Sequence, residues 1–120
     1  MKDILKIKGG TPLRGKVTVN GAKNAALPII AATLLTEDEV TLKNIPLLKD
    51  VSTMLEMISG LGKEIERVSE NSYKISENTK NTKTRPELVR KMRASFLVLG
   101  PLLGKMKEAK IALPGGCSIG

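Results

Sequence analysis

Histidine is absent from this 120-residue chain, which removes the commonest general base and metal ligand near neutral pH. Tryptophan is absent too, and Tyr73 and Phe96 are the only aromatics. Two aromatic rings offer almost nothing for stacking nucleic-acid bases, and they leave the core to Leu, Ile, Val, Ala and Met. Cys117 is the single cysteine, so an internal disulfide is excluded, and no Cys/His cluster of the zinc-binding kind can form. The opening residues Met1-Lys2-Asp3-Ile4 lack the apolar stretch of a signal peptide. The longest apolar run, residues 25–35, contains Pro28 and is too short to span a bilayer. One lone cysteine without a secretory signal reads as a reducing, cytoplasmic setting and argues against a membrane role.

What is present is a chain 41% hydrophobic, enough to bury a core. Its 20 basic and 12 acidic residues give a formal net charge of +8, which favours anionic partners. The lysines and arginines are scattered, with no run of five or more. Small phosphorylated molecules therefore fit better than nucleic acid, although a small basic anion- or nucleic-acid-binding module is the alternative that composition leaves open.

Along the chain, residues 4–8 and 16–20 alternate apolar with polar and predict two short strands. Residues 25–35 form a helix that is apolar nearly all round, which predicts burial, with Pro28 disturbing its entrance. Residues 39–45 predict a strand that Pro46 ends. Val51, Met54, Leu55, Ile58 and Leu61 fall at helical spacing, and Gly62 is placed to close that helix. Residues 63–68 and 72–76 predict a hairpin. Pro86 suits a helix first turn, and Leu88, Val89, Met92, Phe96, Leu99, Leu102 and Leu103 predict one long helix that Pro101 kinks or ends. Residues 110–113 predict a last strand. The alternation means mixed α/β layers, with no repeat, low-complexity segment or interior linker.

Three places could carry chemistry. Lys23 and Asn24 stand at a helix entrance, where free N–H groups and a cation together would clamp a phosphate or carboxylate. The plainer reading is a surface lysine beside a capping asparagine. Arg90 and Arg93, three apart, lie near one helix face. Arg93 is the less ordinary of the two, because Met92, Ala94 and Phe96 around it are core-like and a cation there wants a partner. Cys117 lies among Gly115, Gly116 and Gly120, in a segment able to open and close over a substrate. It could serve as nucleophile or proton donor, or be an inert loop thiol.

Taken together, Val19-Asn20-Gly21-Ala22-Lys23-Asn24-Ala25-Ala26-Leu27-Pro28-Ile29, Lys91-Met92-Arg93-Ala94-Ser95 with Leu99-Gly100-Pro101-Leu102, and Leu113-Pro114-Gly115-Gly116-Cys117-Ser118-Ile119-Gly120 closely resemble the N-terminal part of bacterial UDP-N-acetylglucosamine 1-carboxyvinyltransferases, a family of enolpyruvyl transferases. The resemblance covers the whole chain in order. It implies a two-domain inside-out α/β barrel built from βαβαββ units, of which residues 15–76 would be one. It also implies transfer of the enolpyruvyl group of phosphoenolpyruvate to the 3′-hydroxyl of UDP-N-acetylglucosamine with release of phosphate. That is the first committed step of peptidoglycan synthesis, and it proceeds by addition and then elimination. By the same resemblance Lys23 and Asn24 bind phosphoenolpyruvate and Arg93 contacts the nucleotide sugar. Cys117 donates a proton, can form a covalent adduct with phosphoenolpyruvate, and is alkylated by fosfomycin. No metal or organic cofactor is implied.

Family members are several times longer. The resemblance therefore implies a fragment: residues 1–21 are a strand segment that packs with the other domain, and residues 22–120 are an incomplete first domain ending at the cysteine loop. Such a piece alone is expected to be inactive and to expose an aliphatic face.

Overall fold

The computed structural model describes residues 2–112; Cys117 and its glycines lie outside the described residues. Helix α1 spans Lys23–Ala32 and runs into a 3-10 turn, Thr33–Leu35. Strand β1 (Val40–Leu42), helix α2 (Lys49–Gly60) and the hairpin β2 (Glu64–Ser69) and β3 (Ser72–Ser76) come next. Then come α3 (Pro86–Lys91), a 3-10 segment (Arg93–Val98) and α4 (Leu99–Met106). The sheet is antiparallel in the order β1-β3-β2.

Period-two alternation places Ile75 of β3 opposite both Val40 and Ile65, on the face that meets the helices. Its neighbour Lys74 points to the other face, where it pairs with Glu39 at 3.3 Å. α2 lays Val51, Met54, Leu55 and Ile58 into the core, as their spacing requires. Beyond it, Gly62 adopts φ 118°, Gly62 N–H donates to the Ser59 carbonyl and Lys63 N–H to that of Ile58. This paired closure needs a left-handed residue at that position, so Gly62 ends α2 as the sequence predicts.

Lys63, directly after it, is 3% exposed. Its Nζ donates to the carbonyls of Thr36 and Glu77, tying the exit of the first helical segment to the exit of β3. Burial, and secondarily the charge of Lys105, lower the Lys63 pKa from its ordinary value, with Glu77 opposing. Between that lowered value and the ordinary one, the unfolded chain holds more protons than the folded one, so stability rises with pH through this window and falls back as pH drops through the folded value. Lys63→Met is expected to abolish this rise. At neutral pH it should cost about 1–3 kcal/mol, because two carbonyls lose their donor. Urea unfolding of both proteins at neutral pH and near the ordinary lysine pKa checks both effects.

Four expectations are corrected. Residues 4–8 and 16–20 form no strands; Ile4, Leu5, Ile7, Val17 and Val19 are all at least 78% exposed. A strand needs a backbone partner, and among the described residues the one hydrogen bond to this segment is Asn44 Nδ2 donating to the Val19 carbonyl at 3.4 Å. The predicted βαβαββ unit is thus present as αβαββ. α1 is only half buried: Ala26, Leu27, Ile30 and Ala31 face the core, while Ile29 and, in the following turn, Leu35 are each 50% exposed. β1 is shorter than 39–45, because Asn44 turns the chain at φ 58° and Ile45 N–H then donates to the Asn71 carbonyl. The last strand reduces to one parallel bridge between Lys83 and Lys110, and Leu113 lies outside the described residues.

The long third helix is also broken in a different place from the one expected. The break falls at Met92, which is extended (φ −153°, ψ 124°). Pro101 sits within the first turn of α4, where a missing N–H removes no helical bond.

Candidate active site

α1 begins at Lys23 with Ala22 as its N-cap, and no side chain caps the turn. Asn24, the second helical residue, therefore does not serve as the cap. The first N–H groups of such a helix have no helical acceptors, and the first turn holds no acidic residue. Pro28 lies within α1 without breaking it, and it leaves the Asn24 carbonyl without the donor four residues on. The Ala25 and Ala26 N–H groups both donate to the Ala22 carbonyl, which leaves the N–H groups of Lys23 and Asn24 as the unpartnered donors of this turn.

A cation at this end opposes the helix dipole. The structure offsets it with Asp50, whose Oδ2 lies 3.2 Å from Lys23 Nζ. Asp50 occupies the first turn of α2, where a carboxylate is favoured. The pair remains accessible, with side chains 46% and 35% exposed.

Arg93 reaches the same place from the other half of the chain. Its backbone begins the 3-10 segment after the break at Met92. Ser95 holds this turn: it is fully buried, its Oγ donates to the Met92 carbonyl at 2.7 Å, and its N–H donates to the same oxygen at 3.3 Å. This explains in physical terms why serine stands two residues after the arginine.

These elements enclose an open cleft of about 340 Å³ lined by Lys23, Asn24, Leu27, Asp50, Lys91, Met92 and Arg93. Three residues singled out from the sequence (Lys23, Asn24 and Arg93) are brought together across some seventy positions. Arg90 is not among the lining residues: the helix ends at Lys91 and the extended Met92 rotates the chain beyond it, so a three-residue spacing no longer means a shared face. Sequence reasoning missed Asp50 and, though it noted Lys91 beside Arg90 and Arg93, gave that lysine no site role, since each reads as an ordinary charge near a helix end. Cys117 lies outside the described residues. Among those residues no group of His, Cys, Asp and Glu is gathered as a metal site, and no helix is long and apolar enough to cross a membrane.

Three cations against one carboxylate, at an uncapped helix start, make a cleft suited to anions carrying several oxygens. The chain is similar to several known proteins. A UDP-N-acetylglucosamine 1-carboxyvinyltransferase of Idiomarina loihiensis is 52% identical over 119 residues. Those of Wolinella succinogenes and Helicobacter pylori are each 49% identical over 119 residues. Each match takes in 98% of this chain and 28% of the relative, so the chain spans just over a quarter of the length of these curated relatives. The crystal structure of the enolpyruvyl transferase NikO from Streptomyces tendae superposes with a TM-score of 0.64 at 20% identity, over 79% of this chain and 22% of that one. It shows a shared enolpyruvyl transferase fold. Matched from residue 7 to residue 120, the chain belongs to the EPSP synthase (3-phosphoshikimate 1-carboxyvinyltransferase) family.

Proposed function

We propose that this chain is part of a UDP-N-acetylglucosamine 1-carboxyvinyltransferase acting in the cytoplasm at the entry to peptidoglycan synthesis. Its reaction moves the enolpyruvyl group of phosphoenolpyruvate onto the 3′-hydroxyl of UDP-N-acetylglucosamine. The observation that carries this reading is the convergence of Lys23, Asn24 and Arg93 in one cleft, in a chain about half identical to relatives of that name.

Lys23, Asn24 and the open first turn of α1 hold the phosphate of phosphoenolpyruvate, and Arg93 holds the nucleotide sugar. The substrate phosphate replaces Asp50 as partner of Lys23. An accessible ion pair is worth about 0–1 kcal/mol, so the exchange costs little and a dianion wins it. In the addition step the 3′-oxygen bonds to C2 of the enol and gives its proton to solvent, while C3 gains a proton from the Cys117 thiol, which is left as the thiolate. In the elimination step C3 returns a proton to the Cys117 thiolate, the C2–C3 double bond re-forms, and the C2–O bond to phosphate breaks with its electrons leaving on phosphate. A protonated thiol can serve as the general acid of such a step. Residues 1–21, of which 2–20 are exposed here, pack with the second domain in this reading.

The test uses the full-length gene product carrying this sequence. Phosphate release from phosphoenolpyruvate is measured with UDP-N-acetylglucosamine, with and without fosfomycin, and the modified residue is located by mass spectrometry. Activity lost in step with modification of Cys117 is expected. Activity that persists under fosfomycin with Cys117 unmodified overturns the role of the thiol, and no turnover in a folded protein overturns the reaction.

A further inference from the structure

We propose that Lys91 is a third substrate-holding cation of the cleft, contacting phosphoryl oxygens beside Lys23 and Arg93. The inference rests on the transferase reading of the site and adds a residue to it. Met92 between Lys91 and Arg93 is extended and 4% exposed. An extended residue sends its own side chain one way and its two neighbours the other. With Met92 driven into the core, Lys91 and Arg93 are both turned outward, and both line the cleft that Lys23 and Asn24 open. The buried Ser95 fixes this arrangement through its two bonds to the Met92 carbonyl.

The charges point the same way. Lys23 is balanced by Asp50 at 3.2 Å, whereas among the described residues neither Lys91 nor Arg93 forms an ion pair. Among the described residues the cleft therefore carries two cations outside any ion pair, two positions apart in the chain. One cation at Arg93 matches one charged group; a second beside it suits the spread of charge over a phosphate or diphosphate. The competing explanation is that Lys91 merely complements the dipole at the end of α3, whose last turn holds Arg90 and Lys91. A dipole role predicts lower stability and unchanged substrate affinity.

The experiment compares Lys91→Gln and Lys91→Arg with the parent, in the full-length gene product carrying this sequence. Saturation curves are run for each substrate and thermal unfolding is followed in parallel. Lys91→Gln is expected to raise one KM about 5–10-fold, to leave kcat within about twofold, and to flatten the salt dependence of that KM. Lys91→Arg is expected to restore most of the affinity. A rise in the phosphoenolpyruvate KM assigns the contact to its phosphate; a rise in the UDP-N-acetylglucosamine KM assigns it to the diphosphate. Both KM values within twofold of the parent overturn the proposal, whatever happens to stability. Calorimetric titration of phosphoenolpyruvate and of UDP-N-acetylglucosamine, each alone, into parent and Lys91→Gln separates this from failure of the transferase reading. Weaker binding of either by the variant, in a protein without turnover, keeps the contact and removes the reaction. Binding of both unchanged by the substitution removes the contact.

Discussion

Gly21→Ala is expected to lower the stability of the chain by about 1–3 kcal/mol, the usual cost of forcing extra volume into a packed contact, and to cut activity much further. A Cβ at this position would overlap the carbonyl oxygen of Asn44 and come within 3.1 Å of Pro46 Cδ. Neither neighbour is the movable end of a side chain. Asn44 is already committed to φ 58°, and Ile45, next to it, is pinned by its N–H to the Asn71 carbonyl at 2.8 Å. The strain must therefore be relieved on the other side, by moving residues 20–23. Those residues carry the start of α1 and hence Lys23 and Asn24. A misplacement of about 1 Å in a positioning group can cost about a hundredfold in rate. Urea unfolding combined with kcat/KM for phosphoenolpyruvate in the full-length gene product reads both. A variant with parental activity and stability would mean that the loop at 44–46 yields freely, and the rigid-contact argument would fail.

Lys23→Met is expected to separate binding from stability even more sharply. The Lys23–Asp50 pair is accessible on both sides, so its contribution to folding is at most about 1 kcal/mol, and removing a cation from a helix N-terminus returns part of that. A double-mutant cycle with Asp50→Asn should therefore give a coupling below about 1 kcal/mol in unfolding experiments. The catalytic loss should be of another order: removing one preorganised group from the site of a departing phosphate costs about 10²–10³ in turnover efficiency. If the stability loss accounted for the activity loss, Lys23 would be a structural residue paired with Asp50 and the anion-holding role would be gone.

Part of this molecule could be read without coordinates. The helical spacing of Val51, Met54, Leu55 and Ile58 placed α2 correctly, Gly62 marked its end, and the alternation from 63 to 76 marked the hairpin. Each of these signals is local, since a periodicity or a turn residue acts over one or two turns of chain. The misreadings were those that depended on distant partners. Residues 4–8 and 16–20 have the pattern of strands but no neighbour to bond. Residues 25–35 have the composition of a buried helix, yet Ile29 and Leu35 remain half exposed.

The candidate site divides along the same line. Sequence alone determined which residues had chemistry to offer: a lysine and asparagine at a helix start, an arginine among apolar neighbours, and a lone cysteine between glycines. It also limited what this chain itself can offer, since without histidine and almost without aromatics its polar chemistry is that of cations, carboxylates, backbone N–H groups and one thiol. Only the tertiary structure decided which cations meet. The break at Met92 placed Lys91 rather than Arg90 beside Arg93 in the cleft, and the packing of α1 against α2 put Asp50 against Lys23. Both outcomes stem from burial. Met92 turns into the core and Ser95 bonds its carbonyl, and the free energy of filling that core fixes a backbone rotation that no local pattern encodes.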